Sequence, residues 1–254
     1  VFNESESIGY LLDEVLNVMQ NNKLNCELIV VNDGSNDNTS TVLDELTIKI
    51  KELSVISLRK NYGQTAAMSA GFDNSKGEIV ITLDGDLQND PYDIPKLISH
   101  INEGYDLICG WRYERKDKLI NRRIPSKIAN KLIANVTGLK LHDYGCSLKA
   151  FKKEIVDDIK LYGELHRFLP VLANIEGAKI KEIKVNHRSR KYGSSKYGID
   201  RTFRVLMDLL TVWFMTKFLT RPMYGFGFFG IISILLSLGM TSYLFIIKLL
   251  GNDI

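Results

Sequence analysis

The sequence predicts an α/β domain followed by a membrane-spanning helix. Three observations predict it. Over residues 1–160 short β-branched runs alternate with helical patterns, aspartates follow directly on two of the predicted strands, and Met223–Ile247 is a run of 25 residues without a charge. Predicted strands cover Glu27–Asn32, Ser54–Leu58, Glu78–Leu83 and Asp106–Gly110. Predicted helices cover Ser7–Met19, Asn38–Ile50, Gln64–Asn74 and Asp93–Glu103, with Ser7 and Asp93 placed to cap the first and last. The strand runs are continuously apolar rather than alternating, as expected of a mostly parallel sheet covered on both faces. In such folds ligands sit beyond the carboxyl ends of the strands.

The C-terminal run, at about 1.5 Å per residue, is long enough to cross a hydrocarbon core of about 30 Å. Before it, Ile199–Arg221 repeats Phe203, Leu206, Leu210, Trp213 and Phe214 at helical spacing, interrupted by Arg201, Arg204, Asp208 and Lys217. This is the pattern of an amphipathic helix in a membrane interface. Three parts follow: a catalytic domain at 1–198, a juxtamembrane helix at 199–221 and a membrane segment at 222–254. The basic residues ahead of the span place the first 222 residues on the cytoplasmic side of a plasma, inner or equivalent membrane.

Composition excludes several classes. With 254 residues, 45% hydrophobic and 25% charged, the chain is neither disordered nor fibrous. Three scattered cysteines, Cys26, Cys109 and Cys146, make neither a disulfide framework nor a zinc cage. The net charge of +3 hides an asymmetry: Lys179–Arg221 holds 11 basic and 3 acidic residues, and Arg112–Lys131 holds 8 basic and 2 acidic. Such patches attract phosphates or anionic lipid, although solvated helix faces carry the same pattern. A nucleic-acid binder would need aromatic platforms among these cations, so nucleic acid is excluded as a partner.

Gly225-Phe-Gly227-Phe-Phe-Gly230 matches a dinucleotide fingerprint but lies in the membrane run, where small residues serve helix packing. The stronger motif is Asp84-Gly85-Asp86-Leu87-Gln88, directly after a predicted strand. Carboxylates two apart in an extended segment project to one side. They repel unless a cation lies between them, and their oxygens suit Mg²⁺ or Mn²⁺ when a nucleoside diphosphate supplies further oxygens. Gln88 adds a neutral oxygen, and Gly85 permits close backbone approach. Asp33, at the end of the first strand, is placed to accept N–H groups of a nucleobase, or to form an Asx turn before the next helix.

The segments VVNDGSNDNT and RKNYGQTAAMSAGFDNSKGEIVITLDGDLQNDP resemble the GT-A glycosyltransferases of family 2, with a Rossmann-like catalytic domain. Within that family the similarity is to the polyprenyl-phosphate hexose synthase branch, which includes dolichyl-phosphate mannose synthases and undecaprenyl-phosphate sugar transferases. It continues through GWRYER, HDYGCSLKAF, GELHRFLP and HRSRKYGSSKYG into the span, covering nearly the whole chain. The resemblance implies that Phe2 and Glu4 belong to the tail of the first strand and its nucleotide-holding loop, so that the chain opens in mid-motif. It implies that Asp33 contacts the base, that Lys60 and Gly63 flank the nucleotide, and that Asp84, Asp86 and Gln88 hold the metal. Where the family has a first acid beside Asp33, this chain has Asn32. By the same resemblance Asp143 is the active-site acid, Glu164, His166 and Arg167 face acceptor and sugar, and Arg190, with Ser195 and Lys196, sits on a mobile loop that closes over the diphosphate.

Chemistry agrees with these roles. A leaving diphosphate needs neutralising as charge builds on it, which a divalent ion with Arg190 and Lys196 would supply. A polyprenyl phosphate is already an anion and needs no strong base, but it needs cations, and Arg112, Arg115, Arg122, Arg123 and Lys127 are at hand. The expected activity is inverting transfer of a hexose from UDP-glucose, a similar donor or GDP-mannose to a polyprenyl phosphate at the membrane, by a monomer or homo-oligomer. A processive polysaccharide synthase of the same fold is the alternative, but neither Trp111 nor Trp213 lies in its Q-x-x-R-W pattern. A non-catalytic adaptor for nucleotide-sugar or lipid is a second, opposed by Asp84, Asp86 and Arg190.

Overall fold

The computed structural model describes residues 1–113, 130–192, 200–218 and 221–250, with no side-chain description at 200–206. In chain order its elements are α1 (Ile8–Asn21), β1 (Leu28–Asn32), α2 (Thr39–Lys49), β2 (Leu53–Ser57), α3 (Gln64–Asn74), β3 (Ile79–Thr82), α4 (Ile94–Asn102) and β4 (Leu107–Arg112). A helix α5 covers residues 130–137. After it come β5 (Lys149–Lys152), α6 (Lys153–Asp158), α7 (Leu169–Ile175), β6 (Ile180–Val185), α8 (Asp200–Phe218) and α9 (Pro222–Leu249). Two compact units divide this chain, Val1–Leu209 and Leu210–Ile254.

In the first unit β1 and β2 pair in parallel, and a four-stranded sheet has the order β3-β5-β4-β6. The four strands expected from β-branched runs are all present, and β4 pairs with β6 in parallel. The sequence does not announce β5, which runs antiparallel to both β3 and β4 and makes this sheet mixed. An antiparallel strand begins where its neighbours end. The loop entering β5 at residues 143–148 therefore meets the carboxyl ends of β3 and β4 at one edge.

Apolar spacing explains the packing. Ile8, Leu11, Leu12, Val15 and Met19 form one face of α1 and bury against Val30, Leu43, Ile50, Leu53 and Leu87. Leu97 and Ile101 of α4 cover Ile108, Cys146, Leu148, Ala150, Ile183 and Val185. Each such side chain contributes about 1.5–3 kcal/mol when fully buried. Neither expected cap forms. The Ser7 hydroxyl instead donates to the Glu4 carbonyl and carboxylate, and the Asp93 carboxylate accepts from the Asn186 amide and side chain. Both groups are engaged outside their helices instead. A side-chain cap does form at Asp90, which accepts from the Tyr92 amide.

In the second unit α9, 28 residues long with an 18-residue stretch of mean hydropathy 2.1, is long and apolar enough to cross a membrane. The rings of Phe214, Phe218 and Phe226 cluster at its start, and a Cβ on Gly225 would meet the Phe218 ring at 3.3 Å. So the first glycine of the rejected fingerprint is a packing residue, whereas Gly227 and Gly230 have nothing within 4 Å.

Candidate active site

Three strand ends and two later loops supply the site. After β1, both oxygens of the buried Asp33 accept backbone amides, from Tyr62 at 2.7 Å and Gly63 at 2.9 Å. The carboxylate expected at the base thus also fixes the loop that follows β2. Asn32 beside it donates to Ser40 Oγ and accepts from the Ser35 amide, both at once. Gly34 has φ +66°, and a Cβ there would lie 2.3 Å from the Lys60 carbonyl carbon, so only glycine lets the two loops touch. Lys60 is exposed, 5.1 Å from the Tyr62 ring centroid, and with Asn32, Ser40 and Ser57 it lines a polar cavity of about 330 Å³.

After β3, the Asp84-Gly85-Asp86 turn lies against the N-terminal segment. A Cβ on Gly85 would meet Val1 at 2.6 Å and Glu4 at 3.6 Å. Phe2 and Glu4 are half-buried there, with the Glu4 amide bonded to Thr39 Oγ1. Leu87 turns the chain with φ +61°, a conformation a branched side chain rarely adopts, and its buried side chain joins the α1 core. Asp84 accepts from Gln64 Nε2 at 2.9 Å. Asp86 is buried, and burial first, then the neighbouring Asp84, push its carboxyl up to about 6, against the pull of Arg190. Arg190 Nη2 donates to Asp86 Oδ2 at 2.5 Å. Gln88 donates from its amide to Asp86 Oδ1 and from its side chain to the Arg188 carbonyl.

Among the described residues no three His, Cys, Asp or Glu side chains gather as a metal cage. Asp84 and Asp86 nevertheless fit a divalent ion. They are two adjacent carboxylates, one resisting ionisation and already drawing a cation, and a diphosphate would fill further coordination positions.

The edge is completed by the loop entering β5. Asp143 is 5% exposed and takes a two-pronged bond from Arg112, Nε to Oδ2 at 2.7 Å and Nη2 to Oδ1 at 2.9 Å. Burial opposes the guanidinium charge, but these bonds hold Arg112 above its ordinary value, with Asp84 adding to the pull. Arg112, expected among the acceptor-binding cations, is thus the partner of Asp143, the acid expected in the active site. Glu182 of β6 anchors the same loop, accepting from the His142 and Asp143 amides. Sequence reasoning missed Glu182, because nothing marks an acid on a strand as a loop anchor.

His166 and Arg167 lie in the 3₁₀ turn Leu165–Phe168. His166 Nδ1 is 2.7 Å from Thr65 Oγ1, and Arg167 is 3.7 Å from Glu164. Segment 186–192 reaches Arg190 from β6. Its root is held by Arg188, which bonds Glu14 and Asp90, and by Tyr192 stacked on Tyr10 at 6.1 Å. Sequence reasoning also missed Arg188, one basic residue among several. Arg115, Arg122, Arg123, Lys127, Ser195 and Lys196 lie outside the described residues.

Residues 1–160 match Glycosyl transferase family 2. The chain belongs to that family. Dodecaprenyl-phosphate galacturonate synthase of Rhizobium johnstonii is 45% identical over 266 residues, covering 100% of this chain and 77% of its own length. Undecaprenyl-phosphate 4-deoxy-4-formamido-L-arabinose transferase of Proteus mirabilis is 40% identical over 212 residues, covering 83% of this chain and 65% of its own. Among solved structures, glucosyl-3-phosphoglycerate synthase of Mycobacterium tuberculosis aligns with a TM-score of 0.62 at 19% identity, covering 85% of this chain and 77% of that one. A complex of that enzyme with Mn²⁺ and UDP-glucose aligns at 0.59, again at 19% identity, covering 85% and 76%. The structural likeness establishes the GT-A fold, and the sequence likeness makes this family 2 chain a glycosyltransferase related to polyprenyl-phosphate sugar transferases.

Proposed function

We propose that the chain transfers one sugar, with inversion, from a nucleoside diphosphate to a polyprenyl phosphate at the cytoplasmic face of a membrane. The observation that carries the reading is the meeting of Asp84, Asp86 and Arg190 at one sheet edge: two carboxylates for a divalent ion and a cation delivered from a separate loop. The bond between the sugar's anomeric carbon and the diphosphate breaks as an acceptor phosphate oxygen attacks from the opposite side. Mg²⁺ or Mn²⁺ held by Asp84, Asp86 and Gln88 would neutralise the leaving diphosphate. Arg190 would move from Asp86 to that diphosphate, while Asp33, Lys60 and Gly63 hold the nucleoside. Asp143, held and oriented by Arg112, would align the acceptor or sugar rather than remove a proton, since a phosphate nucleophile arrives deprotonated. His166, Arg167 and the cations of 115–131 would hold that phosphate, and α8 and α9 would keep the site at the lipid surface.

Two experiments test the reading. Membranes carrying the chain are given labelled UDP- and GDP-hexoses, and nucleotide-linked galacturonate and 4-deoxy-4-formamido-L-arabinose, with polyprenyl phosphate added. Label should enter the lipid extract with one donor class; label only in soluble oligosaccharide would remove the lipid acceptor. Second, Arg190→Ala should lower kcat by about a hundredfold, comparable with losing one preformed charge-stabilising donor. Single-turnover transfer at saturating donor measures it, and an unchanged rate would take Arg190 out of the reaction.

A further inference from the structure

We infer that Gln64 and Thr65, consecutive in the first turn of α3, are positioning residues that join the donor end of the site to its acceptor end. The inference rests on the function proposed above and concerns which residues set its geometry. Three successive residues each hold a different part of the site. The Gly63 amide donates to Asp33 at the end of β1, Gln64 Nε2 donates to Asp84 at the end of β3, and Thr65 Oγ1 bonds His166 Nδ1 in the later 3₁₀ turn. The three held groups come from segments far apart in the chain.

Local structure explains how one turn does this. Gly63 has φ +95°, which points its amide back at Asp33 before the helix begins. At the start of a helix backbone and side-chain donors face outward together, so neighbouring residues reach separate partners. The support is rigid: α3 packs on β1 and on the turn that carries His166, and Phe72 meets Phe151 of β5 edge-on at 5.7 Å. Gln64 is exposed, so its hydrogen bond is not dictated by burial. Thr65 is 4% and His166 8% exposed, so their bond is sheltered from water, and it fixes the orientation of the imidazole. A carboxylate that binds metal is commonly oriented by such a neighbour, whose loss weakens metal binding by about 10–100-fold.

The test uses the full chain in detergent. Gln64→Met keeps the size of the side chain but removes its donor; Thr65→Val removes the hydroxyl and Thr65→Ser restores it. Mn²⁺ binding is read by titration of its paramagnetic signal, and transfer kinetics by donor and acceptor KM. Gln64→Met should weaken Mn²⁺ at least about tenfold. Thr65→Val should leave Mn²⁺ binding unchanged and raise acceptor KM or lower kcat by about tenfold, with donor KM unmoved and Thr65→Ser restoring wild-type values. The His166 ring nitrogen resonances, assigned with His166→Asn, should shift in Thr65→Val and return in Thr65→Ser. Wild-type Mn²⁺ affinity in Gln64→Met, or a Thr65→Val defect that serine does not repair, overturns the inference. A wild-type chain that binds Mn²⁺ but moves no sugar to polyprenyl phosphate overturns the proposed function instead, and leaves the Mn²⁺ measurement standing as a separate result.

Discussion

Changing Asp84 or Asp86 to asparagine is expected to reduce turnover by about a thousandfold or more, and EDTA should do the same to the unaltered chain, because the ion's stabilisation of a departing diphosphate is worth several kcal/mol. The fold should survive. Asp86→Asn should even raise the melting temperature of the metal-free protein above pH 7. Asp86 titrates near 6 in the fold, above its ordinary value, through burial and the charge of Asp84. The folded state therefore holds a proton that the unfolded chain has released between about pH 4 and 6, and stability falls as pH rises through that window. Asparagine removes the penalty. A shift of this size, in which the pull of Arg190 is already included, sets a ceiling of about 3 kcal/mol on the gain. The gain should shrink as pH is lowered toward 4. Thermal melts at several pH values, beside turnover with and without EDTA, check both halves. Full activity in EDTA would remove the metal from the reaction, and a lower melting temperature for Asp86→Asn at pH 7.5 would contradict the electrostatic account.

The second large effect belongs to Asp143. Removing it leaves the Arg112 guanidinium without the carboxylate that grips it from two sides, in a site where only 16% of that side chain is exposed. Breaking a buried pair from one side costs about 3–5 kcal/mol, whereas replacing both partners by apolar groups of similar shape is often close to neutral. Asp143→Ala should therefore be strongly destabilised and inactive. Asp143→Leu combined with Arg112→Met should recover at least half of the lost stability and none of the turnover. Denaturant unfolding of Asp143→Leu, Arg112→Met and the double gives the coupling, and the same samples give activity. A double variant that regains turnover would show the pair to be scaffolding alone.

The catalytic edge was more legible than its supports. β1 and β3 are continuous β-branched runs ending in Asp33 and Asp84, so both the strands and the acids beyond them follow from the pattern. β5 and β6 do not. Lys149–Lys152 is four residues bounded by lysines, and Ile180–Val185 sets its apolar residues at 180, 183 and 185, which breaks the period of two. Arg112 opens a basic run and so reads as a phosphate contact. Its carboxylate lies 31 residues on, and the pairing exists only because β5 brings that loop back to the end of β4. Thr65 and His166 are 101 residues apart, and no local pattern connects them. Residue types betray chemistry at strand ends, where the backbone fixes direction; partners across the fold depend on strand order, which period and composition do not carry.

That strand order also dictates when the catalytic edge can exist during synthesis. β1 and β2 pair with each other and with nearby helices, so the half that holds Asp33 closes through contacts between neighbours in the chain. β3 and β4 never pair with each other; each waits for β5, whose last residue, Lys152, lies opposite Ile79. A nascent chain that has not yet passed residue 152 therefore carries Asp84, Asp86 and Arg112 on strands whose facing edges are open, and open edges invite pairing with other chains. Long-range pairings of this kind form slowly. The half around Asp33 can settle while the ribosome is still making the rest; the half around Asp84 waits for a single four-residue strand to slide between two that were made before it, and then for β6 to bring in the segment that carries Arg190.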